Sequence, residues 1–147
     1  MKKILFTLII LFAASFCQAA ENINITDYLD KPYVGMAYNE ALTKEIPFLL
    51  VFVNPANIVY LAKFGPIGEM VYNEFKGQYN FCVINSKNKE NKDLVKFFDT
   101  KNKLALYLID PVGKTYTYVD KRYYNKRDMR EILTKFKEGT VSAPSSN

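Results

Sequence analysis

Two cysteines and no histidine are what this chain of 147 residues brings to the commonest side-chain chemistry. Without histidine there is no imidazole general base, no histidine zinc ligand and no histidine-based nucleophilic triad. Cys17 falls in a segment read below as a cleaved signal, which leaves Cys82 alone and unable to close an internal disulfide. Cys82 stands between Phe81 and Val83 in an apolar run, where an unpaired cysteine behaves as a small hydrophobe. Its reactive reading is a single-cysteine thiol oxidoreductase or peroxide-handling relative that works with an external thiol. That chemistry needs an exposure which an apolar strand does not offer. The six glycines form neither a dinucleotide-binding nor a Walker pattern. Paired carboxylates and spaced metal ligands are missing too, so no metal or cofactor is expected.

The other residues that could carry function are aromatic and basic. Tyr116 and Tyr118 share one face of an alternating segment, and Tyr123 and Tyr124 follow beside Lys121, Arg122, Lys126, Arg127 and Arg130. Tyrosine with arginine is typical of protein-binding surfaces, and stacking rings among cations also suit single-stranded nucleic acid. The plainer reading is an edge strand whose tyrosines cover the C-terminal helix. Export makes nucleic acid the weaker partner, and a protein or peptide is the expected one.

Export is read from the start of the chain. Met1-Lys2-Lys3, an apolar run from Ile4 to Ala14 and small residues around Ala19 are the three parts of a signal peptide, residues 1–19. The apolar core is shorter than the roughly 20 residues a spanning helix needs, so no membrane anchor is expected after cleavage. Phe16 precedes Cys17 where a lipidated cysteine normally follows a small residue, which favours plain secretion over a lipoprotein. Setting aside Lys2 and Lys3 leaves 18 basic against 15 acidic side chains, a net charge near +3. Such a mild balance suits a solvated surface better than a nucleic-acid footprint. The lysine-, asparagine- and tyrosine-rich composition has a bacterial look, and the expected location is periplasmic or secreted.

These side chains must be positioned by one ordinary domain. After a polar lead, residues 20–35, helix formers run over 36–46 and stop before Pro47. Phe-Leu-Leu-Val-Phe-Val over 48–53 reads as a strand buried on both faces. A helical pattern over 56–76 is interrupted by Gly65-Pro66, which predicts a kinked helix or two helices. A second strand is read at 80–85 and an amphipathic helix at 88–99, with Leu94, Val95, Phe97 and Phe98 as its apolar side. A third strand at 104–109 turns at Asp110-Pro111-Val112-Gly113 into a partner at 115–120. The last helix, 125–138, is capped by Asn125, and Met129, Ile132, Leu133 and Phe136 share one face. Residues 139–147 read as a disordered tail. The fold class is α/β, a mixed central sheet flanked by helices in a three-layer sandwich.

This element order, with the strand at 48–53 leading into an interrupted helix and with Leu-Tyr-Leu-Ile-Asp-Pro-Val-Gly over 106–113, resembles the thioredoxin superfamily across 36–138. The resemblance implies a thioredoxin-like fold and places the family's Cys-x-x-Cys at the head of the helix after the first buried strand. Aligned on Phe52, that slot holds Asn57, Ile58, Val59 and Tyr60. The position of the family's cis-proline holds Leu104, and Pro66 roughly retains its kinking proline. With neither redox cysteine present, the resemblance implies a noncatalytic, redox-inactive thioredoxin-like protein. It also implies a shallow peptide groove between residues 57–60 and Lys103-Leu104.

Overall fold

A computed structural model describes residues 33–101 and 103–139. The expected signal peptide with Cys17, most of the polar lead and all but Gly139 of the tail lie outside the described residues.

Among the described residues, five strands and four α-helices follow one another as β1 (Tyr33–Gly35), α1 (Tyr38–Thr43), β2 (Phe48–Val53), α2 (Ile58–Glu74), β3 (Asn80–Asn85), α3 (Lys92–Phe97), β4 (Ala105–Asp110), β5 (Thr115–Val119) and α4 (Lys126–Lys137). The strands form one mixed sheet in the order β1-β3-β2-β4-β5. β2 and β3 are parallel, and every other neighbouring pair is antiparallel. The parallel pair follows from the crossover through α2, because parallel neighbours cannot be joined by a tight turn.

β2 occupies the centre, and all six of its residues are buried. Its alternation divides the core in two. Leu49, Val51 and Val53 pack with Phe64, Ile67, Met70, Val71 and Phe75 of the α2 segment and with Met129 and Leu133 of α4. Phe48, Leu50 and Phe52 pack on the other face with Ala41 of α1, Val95 of α3 and the following Phe98. Helices therefore cover both faces of the sheet, α2 and α4 on one and α1 and α3 on the other.

One feature departs from the expectations drawn from sequence, and a second decides between two alternatives they left open. Tyr33–Gly35, assigned to the lead, pairs with β3 and forms an edge strand. It ends at Gly35, whose φ of +78° favours glycine and whose hypothetical Cβ would lie 2.5 Å from the Phe81 carbonyl oxygen. The second is α2, which runs from Ile58 to Glu74 as one helix with Pro66 inside it. An interior proline costs about 3 kcal/mol. Five large apolar residues of the same segment, from Phe64 to Phe75, are buried around it and outweigh that cost.

Elsewhere local chemistry sets the ends as expected. Asp110 Oδ1 accepts from the amides of Val112 and Gly113 at 3.0 and 3.1 Å and so closes the β4–β5 turn. Asn125 Oδ1 accepts from the Asp128 amide at 3.0 Å and caps α4, which ends before Gly139 at a φ of +67°. The Tyr79 hydroxyl donates to the Leu133 carbonyl at 2.7 Å and ties the approach to β3 onto α4.

Tyr124 makes the reverse contact: the buried Leu106 amide donates to its hydroxyl at 2.8 Å. Tyr124→Phe is therefore expected to destabilise the fold by about 1–3 kcal/mol, since it strands a buried backbone donor. Tyr79→Phe removes only one acceptor's second partner and should cost less. Urea unfolding of the two variants checks the order, and equal losses would show that the Leu106 amide has found another acceptor.

Candidate functional site

Three places answer to the chemistry read from the sequence: the head of α2, Cys82 and the tyrosines of the last hairpin.

The head of α2 stands at the end of the sheet where the parallel strands β2 and β3 finish, the usual ligand end of an open α/β sheet. Asn57 is the residue before the helix; its amide donates to the Asn54 carbonyl at 2.9 Å, and its side chain makes no capping bond. Ile58, Val59 and Tyr60 form the first turn. Val59 is 65% exposed, whereas the side chains of Ile58 and Tyr60 lie outside the described ones. The pairing of Phe52 with Ala105 brings Leu104 to the same end, so the two sides of the expected groove are neighbours. The side chain of Leu104, however, is buried in the core under α2 and α4. Lys103 is exposed and its Nζ lies 3.1 Å from Asp99 Oδ2. Leu104 is thus a packing residue and adds no exposed apolar surface to the expected groove. Polar caps fix the surrounding loops: Asn54 Oδ1 accepts from the Ala56 amide, Asn85 Oδ1 from the Lys87 amide, and Ser86 Oγ donates to the Val53 carbonyl.

Cys82 is elsewhere. It lies within β3, opposite Leu50 of β2 and Gly35 of β1, on the face covered by α1 and α3. The head of α2 belongs to the other face. With 0% of its surface exposed, its thiol is pushed up to about 12 by burial. A thiol in this state is neither a ready nucleophile nor a metal ligand. Among the described residues no group of three or more His, Cys, Asp or Glu side chains could hold a metal ion, and no helix is long and apolar enough to cross a membrane.

The tyrosines do not form one surface. Tyr116 and Tyr118 face the α3 side: the Tyr116 ring lies 5.9 Å from that of Phe97 and 5.6 Å from that of Phe98, and Tyr118 lies 5.6 Å from Tyr107. Tyr123 and Tyr124 pack on the opposite face, where Tyr124 is buried 5.3 Å from the Phe64 ring. Burial first, and the Tyr118 phenol next, push the Tyr124 phenol far above its ordinary value. Arg122 stays beside Asp120 at 3.1 Å, with its guanidinium 5.7 Å from the Tyr123 ring. The expectation that the tyrosines of 116–124 cover α4 together is therefore corrected. Tyr123 and Tyr124 do so, because the short 3-10 turn Lys121–Tyr123 carries the chain round to the α4 face. Tyr116 and Tyr118 point the other way, and Tyr124 is core.

What the structure assembles instead is a graded aromatic surface. Phe52 is fully buried with its ring 5.3 Å from Phe98, and Phe98 stands 4.7 Å from Tyr107 and 5.0 Å from Phe97. The series ends in Phe97 and Tyr116, which are 66% and 57% exposed. Phe97 was expected among the apolar, inward residues of its helix. Phe97 ends α3 with its ring turned outward, whereas Phe98, just past the helix, packs on the sheet. Offset and edge-on pairs such as these hold their rings in place, so the exposed end presents an ordered apolar surface at the β5 edge.

No protein-family model matches the chain, and no curated protein matches it.

Proposed function

We propose that this chain is an exported, noncatalytic thioredoxin-like protein of the bacterial envelope that binds a protein or peptide through the aromatic surface of Phe97, Tyr107, Tyr116 and Tyr118. The order β1-β3-β2-β4-β5, with β2 and β3 parallel and a β4–β5 hairpin closed by Asp-Pro-Val-Gly, supports the thioredoxin-like three-layer assignment. Asparagine and tyrosine at the two ends of the family's redox slot support the absence of dithiol chemistry. The observation that carries the binding role is the exposure of Phe97 and Tyr116 at the end of an otherwise packed aromatic series. Large rings left in water beside an edge strand are what partner surfaces use as anchors.

Phe97→Ala and Tyr116→Ala remove mostly exposed atoms, so each should change stability by less than about 1 kcal/mol. Each should weaken capture of the cognate protein from the producing cell by tenfold or more, as anchor truncations do. Binding that survives both substitutions, in variants that melt like the parent, would place the partner elsewhere.

A further inference from the structure

Among the described residues β5 is the longer edge of the sheet with no strand beyond it, and nothing in its own sequence discourages further pairing. Its five residues, Thr-Tyr-Thr-Tyr-Val, contain no charge, proline or glycine, which are the usual devices that protect an edge strand. β1, at the other edge, has three residues and ends at a glycine with positive φ.

The segment from 114 to 120 reads Lys-Thr-Tyr-Thr-Tyr-Val-Asp, and it is complementary to itself when reversed. A second copy that pairs antiparallel about a two-fold axis perpendicular to the sheet must keep each residue's face, so any residue can lie opposite only those an even number of positions away. With Thr117 opposite the partner's Thr117, Tyr116 meets the partner's Tyr118, Thr115 meets the partner's Val119 and Lys114 meets the partner's Asp120. Each unlike pair occurs twice. Moving the centre to Tyr118 sets Lys114 against the partner's Arg122, and moving it to Tyr116 sets Lys114 against the partner's Tyr118. Only the Thr117 centre joins opposite charges, and opposite-charge and aromatic cross-strand pairs are the ones that favour a register.

The two charged groups flank the strand, and Lys114, whose φ of +52° is not extended, would reach its partner through its flexible side chain. Asp120 continues the extended backbone of β5, with φ −63° and ψ 143°. Its carboxyl is held below the usual range by the Arg122 amide and guanidinium. Lys114 is exposed at the end of the turn, with its flexible side chain one residue from the strand. Tyr116 is the exposed ring that lacks a neighbour on its outer side among the described residues, and the partner's Tyr118 would supply one.

We propose that two copies of this chain associate through their β5 edges, centred on Thr117, into one continuous ten-stranded sheet with the aromatic surfaces of both copies side by side. The partner is a second copy of the chain itself, so this dimer stands or falls independently of what else the aromatic surface binds.

Sedimentation equilibrium of the full chain over a wide concentration range tests it. Twice the chain mass is expected, dissociating on dilution. Lys114→Asp sets like charges opposite each other at both ends and should weaken association at least tenfold; aspartate tolerates the left-handed φ of +52° at that position. Asp120→Asn keeps the oxygen that caps the Lys121–Tyr123 turn and removes the charge, and should weaken association roughly two- to thirtyfold. The double variant Lys114→Asp, Asp120→Lys restores both attractions with reversed signs and should dimerise again. A single-chain mass throughout, or a dimer that Lys114→Asp and Asp120→Asn leave unchanged, overturns the proposal. Should the double variant fail to fold, the two single variants decide it.

Discussion

Truncating Phe52 to alanine is expected to lower the unfolding free energy by about 3–5 kcal/mol, the usual loss for an aromatic side chain removed from a close-packed core. Phe52 is fully buried in the central strand, and its ring lies 5.3 Å from Phe98 and 6.2 Å from Tyr107. Flanking strands fix the backbone on both sides, so the cavity cannot collapse by a shift of β2. Urea unfolding measures the loss. A change under about 1 kcal/mol would mean that the α3 face repacks freely, contrary to the ordered series of rings seen there. The effect also reaches the surface. Phe98 and Tyr107 would lose their inner support, so the same substitution should broaden the near-ultraviolet circular dichroism bands of the folded protein. Phe97→Ala, at the outer end of the series, should leave the core unchanged.

The parts of the fold that were legible in the sequence are those whose environment is uniform along the element. Phe48–Val53 is buried at every residue, so its unbroken apolar run announces a central strand. Asp110 and Asn125 act on amides two or three residues away, and such local chemistry can be read without knowing the fold. What escaped depends on distant partners. Tyr33–Gly35 is too short to display alternation and exists as a strand because Ile84, Val83 and Cys82 lie across from it. Around Pro66 the sequence left a kinked helix or two helices open, and it is the buried residues of α2 that decide for one.

The tyrosines show the same limit at the level of the site. Period-two alternation put Tyr116 and Tyr118 on one face, but it could not say which face α4 would cover. That choice was made by the Lys121–Tyr123 turn, which sends Tyr124 and α4 to the side opposite Tyr116. Four tyrosines that cluster in sequence are thereby split between the two faces of the sheet. Phe97 and Tyr107, from two other elements, join the surface in their place.

The thiol of Cys82 is expected to react with iodoacetamide about a thousandfold more slowly than a free cysteine at the same pH. The thiolate is the reacting form. Burial moves its pKa from the ordinary 9.0 to about 12, which lowers the thiolate fraction near pH 8 by three powers of ten. Zero exposure adds an access barrier, so alkylation should proceed through opening of the fold and should accelerate with urea in step with unfolding. Peptide mapping by mass spectrometry reads the modification at Cys82 itself and is indifferent to Cys17. The protein should correspondingly fail to reduce insulin disulfides, and Cys82→Ala should alter stability without altering that result. Prompt labelling of native Cys82, with reductase activity lost in Cys82→Ala, would instead require an open route from solvent to the middle of β3. The single-cysteine oxidoreductase would then displace the binding protein as the reading of this chain. The register makes that route hard to build: Cys82 lies between Leu50 and Gly35, and the four core residues Leu50, Phe48, Phe52 and Ala41 on its face are all fully buried.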